Sequence, residues 1–227
     1  MSELLAVIEQ NETRFVSVME QPSKFDKLKH SFLSELNKNP ALAKCSHASL
    51  AGTLMKISQL GLDVGVVDEC YIIPYKGEAT LQVSYKGLIK VAYQSGMVTL
   101  VRSETVFEDD KFEFNIAEQK IVKHTPGSMR TNPVGFYAEI TLTNGKKIIK
   151  YMTMEQIAER RKKSRGQNFW NNGFESMAQK VCVREALRLI PKSKVTYIDK
   201  PEVEIGQDMG LESRKEQDAA LDAELLS

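Results

Sequence analysis

The chain has 227 residues, of which 42% are hydrophobic and 27% are charged, an ordinary composition for a globular protein with a sizeable core. No apolar run approaches the roughly 20 residues that a membrane-spanning helix needs, and acidic residues occur too early for a signal peptide. The three cysteines and three histidines are scattered, which predicts a reduced cytosolic protein without a disulfide scaffold or a structural metal.

Charge is distributed unevenly along the chain, although the formal net charge is only +1. Residues 146–200 hold 14 basic and 5 acidic side chains, whereas residues 201–227 hold 2 basic and 8 acidic ones. This asymmetry is compatible with a polyanionic partner for the basic segment. We assign residues 1–200 to the folded core and residues 201–227 to an acidic, flexible tail.

The first part of the chain, about residues 1–65, predicts helices. Residues 2–18 show loosely helical apolar spacing, and the segment after Pro22 places apolar residues on one face up to Asn39-Pro40. A third helix is predicted between Ser46 and Gly61, because serine can cap its start and glycine its end.

From Tyr71 the apolar period changes to two, which predicts strands. The segment "PYKGEATLQVSYKG" contains Tyr-Lys-Gly twice. The first copy predicts a hairpin turn at Lys76-Gly77, and the second predicts a junction between a strand and a helix that ends at Gly96. Along the second strand, Gln82 and Ser84 are expected on a polar face.

Further strands follow on both sides of the acidic turn 108–110. The stretch "GFYAEITLTNGKKIIKYMT" predicts a hairpin that folds at Asn144-Gly145, and residues 123–135 are expected to form a mobile loop. Thr153 and Gln156 form a predicted capping box for a helix. A last amphipathic helix is predicted before Pro191, so the fold class is α+β with N-terminal helices and antiparallel strands.

Basic residues are concentrated near the end of the predicted core. Five of the six residues from Arg160 to Arg165 are basic, and Phe169 and Trp170 follow closely. Such cations can neutralise phosphates, and aromatic faces can stack on unpaired bases. In the last helix, Lys180, Arg184 and Arg188 recur every four residues opposite an apolar face of Phe174, Met177, Ala178 and Val181. This basic stripe could follow a nucleic-acid backbone, and the alternative is a merely solvated charged surface.

Enzyme signatures are absent from the sequence. Neither the Gly-x-x-x-x-Gly-Lys-Ser/Thr nor the Gly-x-Gly-x-x-Gly pattern occurs, and three scattered histidines make no Ser-His-Asp arrangement. The run Glu108-Asp109-Asp110 could bind Mg²⁺, with an ordinary turn as the simpler alternative. The sequence therefore predicts no catalytic residue, no metal site and no ATP site.

Three stretches resemble the RecT family of phage and prophage single-strand annealing recombinases. They are "YIIPYKGEATLQVSYKGLIKVAYQSG", "PVGFYAEITLTNGKK" and "FESMAQKVCVREALRLIPKS", and the resemblance covers about residues 40–195. It implies a β-β-β-α core distantly similar to the Rad52 fold, with a basic C-terminal helix. It also implies an ATP-independent DNA-binding and annealing protein that requires no cofactor, with Mg²⁺ as an optional aid.

The resemblance further implies a bacterial cytoplasmic location and a set of partners. These are single-stranded DNA and the annealed duplex intermediate, other copies of the chain in a ring or helical filament, a phage exonuclease and the host single-strand-binding protein, with no membrane partner. From the resemblance and the basic pattern together, the residues expected to line a cationic DNA groove are Lys76, Gln82, Tyr85, Lys86, Arg160, Arg161, Lys162, Lys163, Arg165, Trp170, Lys180, Arg184 and Arg188. A metal-dependent DNA-processing enzyme using residues 108–110 and a protein-binding scaffold are the alternatives.

Overall fold

The computed structural model describes residues 2–65, 67–164 and 167–190, and within them the chain is α+β as predicted. Tertiary contacts divide the chain into unit 1, which ends at Val91, and unit 2, which begins at Ala92. None of the helices in the described ranges is long and apolar enough to cross a membrane. The predicted acidic tail and the helix-ending Pro191 lie outside the described residues.

Unit 1 consists of helices followed by a two-stranded antiparallel hairpin. Its elements are α1 (Ser2–Gln10), α2 (Glu12–Val16), α3 (Phe25–Lys38), α4 (His47–Leu60), β1 (Cys70–Tyr75), β2 (Glu78–Val83) and the start of α5 (Tyr85–Gln94). Short 3-10 helices at Pro22–Lys24 and Leu42–Lys44 precede α3 and α4. The single helical stretch predicted for residues 2–18 is instead two helices, interrupted at Asn11, whose side chain donates to the Val7 carbonyl.

Helix α4 holds the β1–β2 hairpin in place. Ser46 caps the helix by accepting a hydrogen bond from the Ser49 amide, and Gly61 ends it with φ +62°, both as predicted. The Ser46 amide also donates to the Gly77 carbonyl at 3.0 Å, at the hairpin turn. Further along α4, the Thr53 hydroxyl donates to the Ala79 carbonyl at 2.9 Å. The turn is therefore anchored on a helix at more than one point.

The two copies of Tyr-Lys-Gly use glycine for different reasons. At the hairpin turn, Lys76 and Gly77 have φ values of +49° and +81°, the left-handed pair of a two-residue turn. Gly87 lies in the first turn of α5, where an added Cβ atom would collide with the carbonyl oxygen of Glu69. The first glycine provides backbone freedom, and the second permits close packing.

Unit 2 is built on a three-stranded antiparallel sheet in the order β3-β6-β7, with β4 and β5 forming a separate hairpin. The strands are β3 (Val98–Phe107), β4 (Lys111–Asn115), β5 (Lys120–Thr125), β6 (Pro133–Leu142) and β7 (Lys147–Thr153). The helices are α6 (Met154–Lys163), α7 (Gln167–Asn172) and α8 (Phe174–Leu187). The predicted β6–β7 turn at Asn144-Gly145 and the capping box of α6 are confirmed.

The region predicted as one loop, residues 123–135, contains the end of β5 and the start of β6. The β4–β5 hairpin packs on the sheet through aromatic rings, with the Phe112 centroid 5.1 Å from Tyr151 and 6.0 Å from Tyr137. Tyr151 also passes so close to Gly135 that a Cβ atom there would collide with its hydroxyl group. Because tertiary aromatic contacts stabilise this hairpin, local composition did not reveal β5.

Helix α8 packs across the three-stranded sheet and contacts all three strands. Its closest residues are small, because Ala178, Cys182 and Ala186 recur every four positions and are fully buried. Of the apolar face predicted for α8, only Ala178 is buried; Phe174, Met177 and Val181 are half-buried. Burial raises the pKa of the Cys182 thiol to about 12, so this side chain packs as a neutral group.

Alanine substitutions at two helical glycines should have opposite effects on stability. Gly87→Ala should lower the free energy of unfolding by about 1–3 kcal/mol, because the new methyl group forces backbone apart. Gly52→Ala in α4 should raise it by about 0.5–1 kcal/mol, because the added Cβ would have no heavy atom of the described residues within 4 Å apart from the adjoining backbone of its own helix. Urea unfolding followed by circular dichroism measures both. Equal stability of the two variants would contradict the close packing at Gly87.

Candidate nucleic-acid interface

Unit 1 presents one of its predicted DNA-binding residues at an exposed turn. Lys76 lies at the tip of the β1–β2 hairpin, and its ammonium nitrogen is 5.3 Å from the centroid of the neighbouring Tyr75 ring. Tyr75 is 61% exposed, so this tip offers a cation and an aromatic face together. Lys86 is exposed on α5 with its nitrogen 4.0 Å from Asp68, and Tyr85 is half-buried at the start of that helix.

The polar strand face expected beside Lys76 is not formed as predicted, because Gln82 and Ser84 are both buried. Ser84 follows β2 and serves as the cap of α5: its hydroxyl accepts from the Gly87 amide at 3.2 Å and donates to the Asp68 carbonyl at 2.6 Å. Gln82 is only 2% exposed. The predicted contact of Gln82 with DNA stays a prediction. Its burial does not favour that contact.

The basic run at the end of α6 does not form a single line of charge. Consecutive residues of an α-helix are rotated by about 100°, so the four side chains from Arg160 to Lys163 spread around most of the helix. Arg161 donates to the Asn171 side chain of α7 at 2.5 Å, while Lys162 pairs with Glu159 at 2.7 Å and is exposed. Lys163 is exposed, and Arg165, the last predicted residue of this run, lies outside the described residues.

One carboxylate joins two of the predicted arginines. Oε1 of Glu185 on α8 accepts from Nη2 of Arg160 on α6 at 2.8 Å and from Nη1 of Arg188, just after α8, at 2.7 Å. Glu185 and Arg160 line a surface depression of about 420 Å³, together with Lys150 of β7 and Lys163. Glu155 and Glu159 lie in the same depression. Cations from α6 and β7 therefore line this depression, interleaved with acids of α6 and α8.

The remaining predicted residues lie in less accessible places. Trp170 is 2% exposed and packs on Phe174 with 5.7 Å between the ring centroids, so it does not present a stacking face on this surface. Its indole nitrogen has no hydrogen-bond partner among the described residues. Arg184 is buried and Lys180 is half-buried, so the predicted stripe on α8 is not uniformly exposed. The helix is surrounded on more sides than its sequence pattern indicated.

The acidic turn considered as a Mg²⁺ site is occupied by hydrogen bonds to the segment 126–132. The Asp109 carboxylate accepts from the Met129 amide at 2.6 Å, and Glu108 accepts from the Asn132 side chain at 3.1 Å. Asp110 accepts from the Gly127 amide at 2.7 Å and contacts His124 at 2.9 Å. Among the described residues, no group of three or more metal-binding side chains could hold an ion. The turn serves to hold the adjoining segment.

Three residues of these surfaces were not among the sequence-predicted set. Tyr75 directly precedes a two-residue turn, and this position is the sequence signal that favours its exposure. Glu185 lies between Arg184 and Arg188 in the sequence, and nothing in that position indicates its contact with Arg160 of α6. Lys150 carried no signal, because its place beside α6 and α8 depends on the packing of β7.

The fold and this depression define an α+β protein whose unit 2 bears a surface of interleaved basic and acidic side chains. A model of the RecT family matches residues 26–215, and the chain belongs to the RecT family. It is 30% identical over 172 residues to Protein RecT of Escherichia coli (strain K12), an alignment that covers 70% of this chain and 64% of that protein. It is 26% identical over 159 residues to Uncharacterized protein YqaK of Bacillus subtilis (strain 168), covering 69% and 56%. The chain thus spans less than two thirds of each relative.

The buried Asp110 should make stability depend on acid pH. Burial raises the pKa of its carboxyl group, but hydrogen bonds from His124 and from the Phe107 and Gly127 amides outweigh burial and lower the pKa from 3.8 to about 2. The carboxylate therefore stabilises the fold above about pH 4, and this contribution is lost as the pH falls towards 2. Asp110→Asn should be less stable at pH 7 and should lose stability less steeply over that range.

Urea unfolding at a series of pH values measures this difference. Glu118→Gln is the control, because Glu118 is an exposed residue of the β4–β5 turn. Its curve should run parallel to that of the unsubstituted chain. A parallel curve for Asp110→Asn as well would show that Asp110 does not produce the acid sensitivity.

Proposed function

We propose that the chain binds single-stranded DNA and anneals complementary strands in phage-type homologous recombination, without ATP. The observation that carries this proposal is the match of the RecT family model to residues 26–215. The structure adds support from physical chemistry, because cations of α6 and β7, interleaved with acids, line a depression in the described part of unit 2. In unit 1, the exposed Tyr75 and Lys76 are of the types that contact bases and phosphates.

The proposed mechanism separates binding from recognition. Naked strands repel one another through their phosphates, and cations that neutralise the backbone reduce this repulsion. Contacts to phosphates carry no sequence information, so the base edges stay available to test a second strand. Stacking contributes about 1.4 kcal/mol per base-pair step on average, so correct pairing is selected by base pairing and stacking energy and not by the protein.

The finer parts of the proposal follow from the resemblance. The chain would act as a homo-oligomer, in a ring or a helical filament, and bind both the single strand and the annealed duplex intermediate. A phage exonuclease and the host single-strand-binding protein would be its protein partners in the bacterial cytoplasm. No cofactor would be needed, although Mg²⁺ could assist binding or annealing. The Rad52-like relation of the core belongs to the same proposal.

The metal-dependent enzyme and the scaffold are less favoured. All three carboxylates of the turn 108–110 accept hydrogen bonds from neighbouring groups, which is a structural use of these residues. A scaffold with an incidental basic surface would bind single-stranded DNA with little dependence on salt, whereas phosphate neutralisation requires a steep one. Salt dependence therefore separates the scaffold from the annealing protein.

A strand-pairing experiment tests the proposal directly. Two complementary oligonucleotides, each with a fluorophore, are mixed with the full chain in the absence of ATP, once with EDTA and once with Mg²⁺. We expect duplex formation to be faster than without protein, and the strands to stay intact. Shortened strands with Mg²⁺ would support the enzyme instead, and an unchanged pairing rate would overturn the annealing function.

Substitution of two lysines tests the depression as a phosphate-binding surface. Lys150→Ala with Lys163→Ala should weaken single-strand binding to a similar extent for all base sequences. The slope of log affinity against log salt should flatten by about 1.4, since each lost phosphate contact on a single strand changes it by about 0.7. Lys27→Ala with Lys56→Ala is the matched control, because it removes two exposed charges from α3 and α4. Equal slopes for the two double variants would place the binding surface elsewhere.

A further inference from the structure

Glu185 connects the basic C-terminal ends of α6 and α8, because it binds an arginine at the end of each. A single oxygen of its carboxylate accepts from Arg160 at 2.8 Å and from Arg188 at 2.7 Å. The three side chains are partly shielded from water, at 36% exposed for Arg160, 25% for Arg188 and 16% for Glu185. Short charge-assisted bonds in such surroundings hold side chains more firmly than ion pairs at a fully exposed surface.

Two guanidinium groups repel each other unless an anion lies between them. Glu185 supplies that anion, and it fixes both groups on the same side of unit 2. Arginine suits this position, because its planar group carries five N–H donors and can bind a carboxylate and a phosphate at once. Lysine offers a flexible point charge and would be less strongly oriented by the same carboxylate.

We propose that Arg160 and Arg188 form a phosphate clamp for single-stranded DNA, and that Glu185 is the positioning residue of this clamp. The inference rests on the proposed function and adds to it a role for an acidic residue. The bound group is a phosphodiester of the strand, next to the depression that Arg160, Lys163 and Lys150 line. Glu185 does not contact the DNA, and it acts by orienting the two arginines.

The clamp makes a prediction opposite to that of simple electrostatics. If Glu185 acted only as a negative charge near a polyanion, its removal would strengthen DNA binding. If it orients the arginines, Glu185→Ala should weaken binding roughly five- to tenfold, the scale of losing one hydrogen bond of typical net strength. Glu185→Gln keeps an oxygen acceptor and the side-chain shape, so its affinity for the oligonucleotide should lie between those of the unsubstituted chain and Glu185→Ala. The measurement is fluorescence anisotropy of a labelled oligothymidine at fixed salt.

Glu159→Ala is the matched control. Glu159 lies in the same depression on α6 and pairs with Lys162, which is not part of the clamp. Its removal takes away the same charge from the same surface, so binding should be unchanged or slightly tighter. Circular dichroism and thermal unfolding of each variant establish that the fold is intact.

A double-mutant comparison separates orientation from a general effect on structure. In the Arg160→Ala, Arg188→Ala background, Glu185 has no clamp to position, and Glu185→Ala should leave binding unchanged or strengthen it. This loss or reversal of the weakening is the result that a merely structural role would not produce. Equal weakening in both backgrounds would overturn the clamp, as would unchanged or tighter binding of Glu185→Ala in the unsubstituted chain. Failure of the unsubstituted chain to bind the oligonucleotide would instead refute the proposed function itself.

Discussion

The surface of unit 2 depends on the close packing of α8 against the three-stranded sheet. Ala178, Cys182 and Ala186 bring the helix backbone near β3, β6 and β7, because small side chains leave little space between helix and strands. Glu185 immediately precedes one of these buried alanines, so its direction is set by the packing and not by its own contacts alone. The carboxylate then holds Arg160 of α6, and a core interaction thereby decides where surface cations lie.

Features determined by a few neighbouring residues were predictable from sequence. The capping box of Thr153 and Gln156, the serine cap and glycine end of α4 and the turn at Asn144-Gly145 each depend on hydrogen bonds or backbone angles within a short segment. The junction at the second Tyr-Lys-Gly was also predictable as a change from strand to helix. The need for glycine at position 87 was not predictable from sequence, because the atom that a Cβ there would collide with is the carbonyl oxygen of Glu69, which is distant in the sequence.

Features that depend on distant contacts were not predictable from periodicity. Gln82 and Arg184 occupy positions that alternation and helical spacing assign to a polar surface, yet both are buried. Trp170 follows a basic run, as a base-stacking residue would, but packs on Phe174. A sequence pattern orders the side chains around one element and does not show which of its sides other elements will cover. The sequence likewise shows that the end of α6 is basic. Its four cationic side chains point in different directions because the helix rotates each residue by about 100°.

The acids interleaved with the cations have a physical consequence for the proposed annealing function. A surface of unpaired cations would hold a strand strongly at any base sequence, and strong sequence-blind binding would hinder release of strands that pair wrongly. Glu159 and Glu185 lower the net charge of the depression, and Glu185 also holds Arg160 and Arg188 in defined positions. In the proposed function, each phosphate contact would then be weaker but better oriented. Stacking of about 1.4 kcal/mol per base-pair step can then outweigh a single protein contact, and the choice between strands passes to the bases.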